Sequence, residues 1–147
     1  MTNTKRVVIV GIAGVGKSTV VNEVLSLLEK KDAKVENLTF GTVMFEEAQK
    51  LGISDRDEMR TLSTDKQQEL QINAAKSIAN INSDVVIIDT HLFIKTNSGY
   101  MPGLPIPILE SLIPTNLILI EALPQDVLDR RSNDPTRNRD TTNIECI

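Results

Sequence analysis

The sequence contains few aromatic residues and a single cysteine. It has no tryptophan, one tyrosine and three phenylalanines, so aromatic residues make up 3% of the chain. A platform of aromatic side chains that stacks successive bases of a single strand is therefore excluded. Cys146 is the only cysteine, which excludes an internal disulfide and a thiolate metal cluster. We expect a protein from a reducing compartment.

Long apolar runs and an excess of positive charge are also missing. The first apolar run, at residues 7–10, is too short for a signal peptide or a membrane span and leads directly into a glycine-rich turn. With 16 basic and 20 acidic residues, the formal net charge is -4. We therefore expect a cytoplasmic protein that binds neither nucleic acid nor membranes. Its 147 residues predict one domain over 1–147.

Four segments have the composition of β-strands. Residues 7–10, 85–88 and 117–120 are runs of β-branched residues and leucine without polar alternation, as is typical of parallel strands buried on both faces. Residues 35–40 predict a weaker strand nearer the sheet edge. These four segments predict a mostly parallel central sheet.

Helical patterns separate the predicted strands. Apolar residues recur at helical spacing within 18–31 and 70–81. Ser54 with Asp57, and Thr64 with Gln67, have the spacing of capping boxes, which predicts helices that begin at these residues. The alternation of strands and helices predicts an α/β fold, a P-loop three-layer αβα arrangement.

The end of the sequence departs from this pattern. A helix predicted from Pro124 to about Arg131 is followed by a polar, arginine-rich tract, and the sequence stops at Ile147. Folds of this class usually continue with a further strand and helix. We therefore expect a P-loop fold that lacks its last strand and helix.

The strongest motif matches G-x-x-x-x-G-K-[ST] and stands between a predicted strand and a predicted helix. Its glycines allow backbone N–H groups to converge on phosphate oxygens, and the start of the helix adds a positive dipole end. Lys17 supplies charge to the β and γ phosphates, Ser18 a ligand for Mg²⁺, and Thr19 a donor to the α phosphate. The motif predicts a site for a nucleoside triphosphate made by Gly11, Ile12, Ala13, Gly14, Val15, Gly16, Lys17, Ser18 and Thr19.

Asp89 and His91 follow the predicted strand at 85–88. Ligands of α/β folds bind at the carboxyl ends of strands, so we predict that Asp89 holds Mg²⁺ or its waters. The alternative is a helix-capping aspartate. His91, the only histidine, either senses phosphate or orders the loop, and a purely structural role is equally compatible with the sequence.

Four arginines fall within ten residues, at Arg130, Arg131, Arg137 and Arg139. Guanidinium groups bind phosphate oxygens in pairs and neutralise the charge of a phosphoryl group in transfer. The alternative is a solvated surface loop held by salt bridges. Beside a phosphate-binding motif, the cluster favours a role in phosphoryl transfer.

Taken together, these motifs resemble the archaeal adenylate kinases, a branch of the nucleoside monophosphate kinases. Beyond 11–19, the segments that carry the resemblance are FGTVMFE at 40–46, DRDEMR at 55–60, DTH at 89–91, GYMPGLP at 99–105, RR at 130–131 and RNRD at 137–140. They occur in one collinear order over nearly all of the chain. Only the last seven residues do not match.

The resemblance implies a phosphotransferase that converts ATP and AMP reversibly into two ADP with Mg²⁺, in a cytoplasmic enzyme whose relatives are often trimeric. We therefore expect a homo-oligomer. The resemblance also implies a helical monophosphate-binding region at 42–82 and a short arginine-rich lid at 130–140. By the same resemblance, Lys17, Arg131, Arg137 and Arg139 are expected to be catalytic, Gly41, Thr42, Arg60 and Asp89 to bind AMP, and Ser18 and Asp89 to hold the metal.

Three other functions are compatible with parts of this pattern. Another small P-loop kinase would act on a different nucleotide or on a metabolite such as shikimate, although the segments around Gly41 and Gly99 disfavour it. A nucleotide-dependent switch would keep Lys17 and Ser18 but would need no arginine lid. A truncated, inactive nucleotide-binding remnant of the kinase would have the same ancestry without turnover.

Overall fold

A computed structural model describes residues 3–96 and 99–134. Strands and helices alternate along these residues. In chain order they are β1 (Lys5–Val10), α1 (Lys17–Glu29), β2 (Val35–Thr39), α2 (Phe40–Lys50), α3 (Arg56–Thr61), α4 (Thr64–Ala79), β3 (Val85–Thr90), β4 (Phe93–Thr96), β5 (Gly99–Pro102), α5 (Ile106–Leu112), β6 (Asn116–Leu119) and α6 (Pro124–Ser132).

The main sheet has the strand order β2-β3-β1-β6, and every neighbouring pair is parallel. In this register Val10 at the end of β1 pairs with Thr90 on one side and Leu119 on the other. The carboxyl ends of the strands therefore meet at one edge of the sheet. The predicted parallel sheet and the outer position of β2 are confirmed.

Helices pack on both faces of the sheet and give three layers. Alternate residues of a strand point to opposite faces, so Val8 and Val10 pack on one side and Ile9 on the other. The larger core cluster lies under α2, α4 and α5, and the smaller one under α1. The larger cluster contains Val8, Val10, Phe40, Val43, Ala74, Ala75, Ile78, Val86, Ile88, Leu104, Ile108 and Leu112.

The prediction that β6 is buried on both faces is wrong. Leu117, Ile118 and Leu119 are 56%, 45% and 53% exposed. Ile118 pairs with Ile9 and shares its face, whereas Leu117 and Leu119 share the face of Val8 and Val10. Among the described residues β6 is an outer strand with β1 as its single neighbour. The apolar residues of β6 therefore lie at the edge of the two core clusters and are not buried inside them.

Both predicted capping boxes are wrong by one residue. The side chain of Asp55 caps α3 by accepting a hydrogen bond from the Asp57 N–H at 2.8 Å. The hydroxyl of Ser63 caps α4 by accepting from the Lys66 N–H. Gln67 donates its side-chain amide to carbonyls before the helix, so it does not close a box on Thr64. The helices themselves begin within two residues of the predicted starts.

A two-stranded antiparallel hairpin of β4 and β5 was not predicted. Each strand has four residues, which is too short for a periodicity signal, although the sequence Asn97-Ser98-Gly99 has the composition typical of turns. The N–H of Gly103 donates to the Leu92 carbonyl at 2.8 Å and closes the base of the hairpin. No helix in the described part of the chain is long and apolar enough to cross a membrane.

Candidate functional site

The P-loop is the turn between Val10, where β1 ends, and Lys17, where α1 begins. Gly14 and Gly16 have φ angles of 90° and 101°, in the left-handed region that only glycine adopts readily. Gly11 lies against β6, since an added Cβ would stand 2.7 Å from the Ile120 carbonyl oxygen. The spacing of the motif therefore has a steric cause at each glycine.

Lys17 extends along the carboxyl edge of the sheet, and its side chain is 8% exposed. Its ammonium donates to the Gly11 carbonyl at 2.7 Å and lies 3.4 Å from a carboxylate oxygen of Asp89. The Thr90 carbonyl and His91 Nδ1 lie 3.5 and 3.3 Å from it. A buried charge requires such partners, and these bring the ends of β1 and β3 together around one ammonium.

One cavity of about 840 Å³ opens at this edge of the sheet. It joins the P-loop, the end of β3 and the start of α2. Its charged lining residues are three cations, Lys17, Arg56 and Arg130, and two carboxylates, Asp89 and Asp134. The remaining lining residues are Ile12, Ala13, Gly14, Val15, Gly16, Ser18, Thr19, Val20, Thr39, Gly41, Thr90 and His91.

Most of the residues predicted to bind phosphate or metal line this cavity. Ser18 and Thr19 stand in the first turn of α1, where both are exposed. Asp89 contributes a carboxylate that is 28% exposed. Gly41 lines the far wall, in the first turn of α2. Gly11 is the one P-loop position that lies behind the cavity, against β6.

Other predicted residues lie elsewhere. The Thr42 hydroxyl accepts a hydrogen bond from Arg56 at 3.0 Å. Arg60 is not part of the cavity lining, and its guanidinium pairs with Asp57 at 3.0 Å on α3. Arg137 and Arg139 lie outside the described residues, so their predicted roles stay predictions.

Arg56 lines the cavity and was not predicted as a site residue. Its guanidinium donates to Thr42 and lies 5.3 Å from the ring centroid of Phe45, at cation–π distance. Buried Met59, one turn further along α3, packs with Leu70 and anchors the helix. The sequence signal is the segment DRDEMR. Either of its arginines could line the cavity until the rotation of the helix is known.

Helix α6 lies against the outside of the P-loop. Arg131 Nε donates to the Ala13 carbonyl at 2.8 Å, and Arg130 donates to the carbonyls of Gly14 and Val15 at 3.3 and 3.0 Å. Val127, one turn earlier, is fully buried, and its side chain would lie 3.4 Å from a Cβ on Gly14. Arg130 also lines the cavity, whereas Arg131 does not.

A family model described as "AAA domain" matches residues 10–147. The adenylate kinase of Thermoplasma acidophilum is 46% identical over 143 residues, which cover 97% of this chain and 74% of that protein. The chain belongs to the adenylate kinase family. The adenylate kinases of Sulfurisphaera tokodaii and Methanocaldococcus jannaschii are 42% and 43% identical, covering 95% and 97% of this chain and 75% and 76% of theirs.

Membership of the adenylate kinase family makes the chain a phosphotransferase and confirms the resemblance drawn from its motifs. The matched relatives are longer than this chain, which spans about three quarters of their length. A crystal structure of APE1195 shares the fold at 18% identity with a TM-score of 0.50, covering 90% of this chain and 69% of that one. The P-loop α/β fold class is thus confirmed.

Proposed function

We propose that this chain is an adenylate kinase that transfers a phosphoryl group reversibly from MgATP to AMP and forms two ADP. The observation that carries the proposal is the single cavity shared by the P-loop and the start of α2. Phosphoryl transfer requires donor and acceptor side by side in one site, from which bulk water is kept away. The kinship with adenylate kinases supports the same reaction.

On the donor side, the P-loop binds the triphosphate. Its backbone amides and the start of α1 attract the phosphate oxygens, and Lys17 lies at the centre of the loop. The ammonium lies at the ends of β1 and β3, beside the cavity that the P-loop lines. Lys17 is therefore assigned as a catalytic residue that neutralises charge on the transferring group.

The residues predicted to hold magnesium fit a hard cation. Ser18 offers a hydroxyl and Asp89 a carboxylate, and both line the cavity. In the described residues no cluster of three or more His, Cys, Asp or Glu side chains forms a closed metal cage. The two oxygen donors of Ser18 and Asp89 suit Mg²⁺, which retains waters and takes phosphate oxygens as further ligands. When bound, the metal neutralises phosphate charge.

On the acceptor side, the region at 42–82 binds the monophosphate. Gly41 leaves open space beside the cavity, since an added Cβ would meet nothing within 4 Å. Arg56 offers a guanidinium at the same wall, held by Thr42. Arg60 remains a proposed AMP ligand, together with Gly41, Thr42 and Asp89. The accepting phosphate oxygen is already ionised, so the reaction needs no general base.

The proposed lid spans 130–140. Arg131, Arg137 and Arg139 were assigned as catalytic by resemblance, and the positions of the last two lie outside the described residues. Arg130 at the base of this segment already lines the cavity. A guanidinium there adds positive charge where the charge of the transferring phosphoryl group develops.

Assembly and location stay predictions. We propose a homo-oligomer, with a trimer as the form that the resemblance implies. Phe93 and Tyr100 on the hairpin are 60% and 61% exposed and offer an apolar surface for such an assembly. Light scattering of the purified protein gives its mass directly, and a monomer at micromolar concentration would contradict the oligomer. A cytoplasmic location is proposed with it.

The decisive experiment is a coupled assay of ADP formation from ATP and AMP with Mg²⁺. We expect turnover with AMP, little with other monophosphates or with shikimate, and about a thousandfold less with Lys17→Ala than with wild type. Turnover with a different acceptor would indicate another small P-loop kinase. A folded protein that binds ATP without turnover would overturn the proposal in favour of an inactive remnant or a switch.

A further inference from the structure

The outside of the P-loop is held by α6 through one helix face. Val127, Arg130 and Arg131 are spaced i, i+3 and i+4, so their side chains leave the helix on the same side. All three reach the loop: Val127 packs beside Gly14, and the two arginines donate to loop carbonyls. The loop that binds phosphate therefore depends on a helix more than a hundred residues later in the chain.

These contacts fix the direction of individual loop amides. In a trans peptide, the carbonyl and the following N–H point in opposite directions. Arg131 binds the Ala13 carbonyl at 2.8 Å and thereby turns the Gly14 N–H away from α6. Arg130 does the same for the Gly16 N–H through the Val15 carbonyl at 3.0 Å. The Val15 N–H is used inside the loop, where it donates to the Ile12 carbonyl at 3.3 Å.

Glycine makes such fixing necessary. Gly14 and Gly16 have positive φ angles and few steric limits, so the loop amides would otherwise sample many orientations. The Arg131 side chain also covers Gly14, because an added Cβ there would meet Arg131 Cγ at 3.1 Å. The loop has the flexibility that glycine gives, and α6 removes it.

We propose that Arg131 is a positioning residue whose hydrogen bond to the Ala13 carbonyl, and not its charge, supports phosphate binding. Arg131 is half-buried, and it is not among the described residues that line the cavity. Its guanidinium acts through the P-loop backbone instead of touching the transferring group. This inference rests on the proposed donor role of the P-loop and replaces the direct catalytic role that the resemblance implied for Arg131.

The chemistry of the bond supplies a sharp test, because the donor atom is Nε. Glutamine carries its Nε2 the same number of bonds from Cα, so Arg131→Gln keeps a donor in place without the charge. Arg131→Met keeps the packing over Gly14 without a donor. Arg131→Lys keeps the charge but moves the donor one bond further out. Gln125→Met, at an exposed site on the same helix, is the matched control.

The probe is inorganic tripolyphosphate. Calorimetry measures its binding to each variant, and no turnover is involved. We expect Arg131→Met to bind tripolyphosphate about tenfold more weakly, the size of effect that the loss of one hydrogen bond gives. Arg131→Gln recovers most of this loss, Arg131→Lys recovers little, and the control binds normally. Glycine-labelled ¹⁵N spectra, with only seven glycines in the chain, report the Gly14 amide directly. The chemical shift of the Gly14 amide should change in Arg131→Met and return towards the wild-type value in Arg131→Gln.

The opposite order overturns the inference. If Arg131→Lys binds tripolyphosphate normally while Arg131→Gln binds as weakly as Arg131→Met, the charge itself contacts phosphate. If all three variants bind normally, Arg131 has no role in the loop. Thermal unfolding checks that each variant folds, and if Arg131→Met does not fold, the comparison of Arg131→Gln with Arg131→Lys decides between hydrogen bond and charge. Failure of the proposed reaction gives a different result. Wild type would then make no ADP from ATP and AMP, while the ranking of the variants in tripolyphosphate affinity would stay as expected.

Discussion

The ammonium of Lys17 lies 3.4 Å from the carboxylate of Asp89, with the P-loop on one side and the end of β3 on the other. The pair joins the two elements that we propose to hold the donor phosphates and the metal. Because the lysine is 8% exposed and the aspartate 28%, their charges interact with less screening than a surface pair would. Neutralising either residue leaves the other charge less compensated, so thermal unfolding should be measured beside the turnover of each variant.

Lys17→Met removes the ammonium and keeps the aliphatic stem. We expect turnover to fall on the order of a thousandfold, because the positive charge that offsets the transferring phosphoryl group is lost. The coupled ADP assay measures this, and Lys5→Met, at the exposed start of β1, is the control. Unchanged turnover in Lys17→Met would refute the assignment of Lys17 as catalytic.

Asp89→Asn keeps the shape and removes the negative charge. We expect the Mg²⁺ concentration for half-maximal turnover to rise by about tenfold, the size of effect seen when groups around a metal site are altered. Chelation with EDTA should abolish turnover in wild type, and added Mg²⁺ should restore it. A magnesium titration that coincides with wild type would mean that Asp89 does not hold the metal.

Arg56 and Arg60 make different predictions for the acceptor. Arg56 lines the cavity, so Arg56→Met should raise the KM for AMP by about tenfold or more and leave the KM for ATP nearly unchanged. Arg60→Met is the parallel variant, because Arg60 pairs with Asp57 on the same helix. A rise in the KM for AMP with Arg60→Met but not with Arg56→Met would leave Arg60 as the acceptor arginine and contradict the role inferred for Arg56.

Gly103→Ala should destabilise the base of the hairpin. A Cβ at this position would collide with the backbone carbonyl of His91, which cannot move aside cheaply. We expect the free energy of unfolding to fall by about 1–3 kcal/mol. Gly41→Ala is the contrasting variant: its Cβ meets nothing within 4 Å and alanine favours the helix, so its stability should equal or exceed that of wild type. Urea unfolding of both variants gives the comparison, and equal losses would contradict the geometry.

Glu47 links α2 to α4. Its carboxylate should make the free energy of unfolding vary with pH in the acid range. Its hydrogen bond from Lys50, assisted by the bond from Ser77, lowers the pKa of Glu47 below its usual value of 4.5. A carboxylate whose pKa is lowered by folding stabilises the folded state at pH values above its pKa in the unfolded chain. This stabilisation is lost as the pH falls through the pKa of the folded state. The free energy of unfolding of wild type should therefore exceed that of Glu47→Gln by about 1 kcal/mol at neutral pH.

Urea unfolding at a series of pH values tests this difference, which should shrink once the pH drops below 4.5. Glu69→Gln is the control, because Glu69 forms an exposed pair with Lys66 on α4. Exposed pairs contribute little to stability, so this variant should follow wild type. A Glu47→Gln variant whose deficit stays constant from neutral pH to pH 3 would show that the carboxylate charge is not the cause.

Local patterns predicted the parts of the fold that depend on local physics. The strand at 85–88 and the P-loop follow from runs of apolar residues and from glycine spacing, which a sequence displays directly. The caps were missed by one residue because Ser54 and Asp55, like Ser63 and Thr64, are adjacent residues that can both cap a helix. Only the backbone geometry selects between such neighbours.

Long-range packing decided what the sequence could not. The exposure of Leu117 depends on which strand lies at the edge of the sheet, and strand order is not written in composition. Arg56 faces the cavity and Arg60 does not, because Met59 fixes the rotation of α3 against α4. The contacts of Arg131 with the P-loop join residues 118 positions apart. Motif spacing contains no information on such distances.

The apolar edge at β6 also affects how stability changes with temperature. Leu117, Ile118 and Leu119 are about half hydrated before the chain unfolds, so unfolding brings less new apolar surface into water than their composition implies. The heat-capacity change on unfolding comes largely from newly hydrated apolar surface. A smaller heat-capacity change flattens the curve of stability against temperature, and cold should then weaken this protein less than one that buries the same residues.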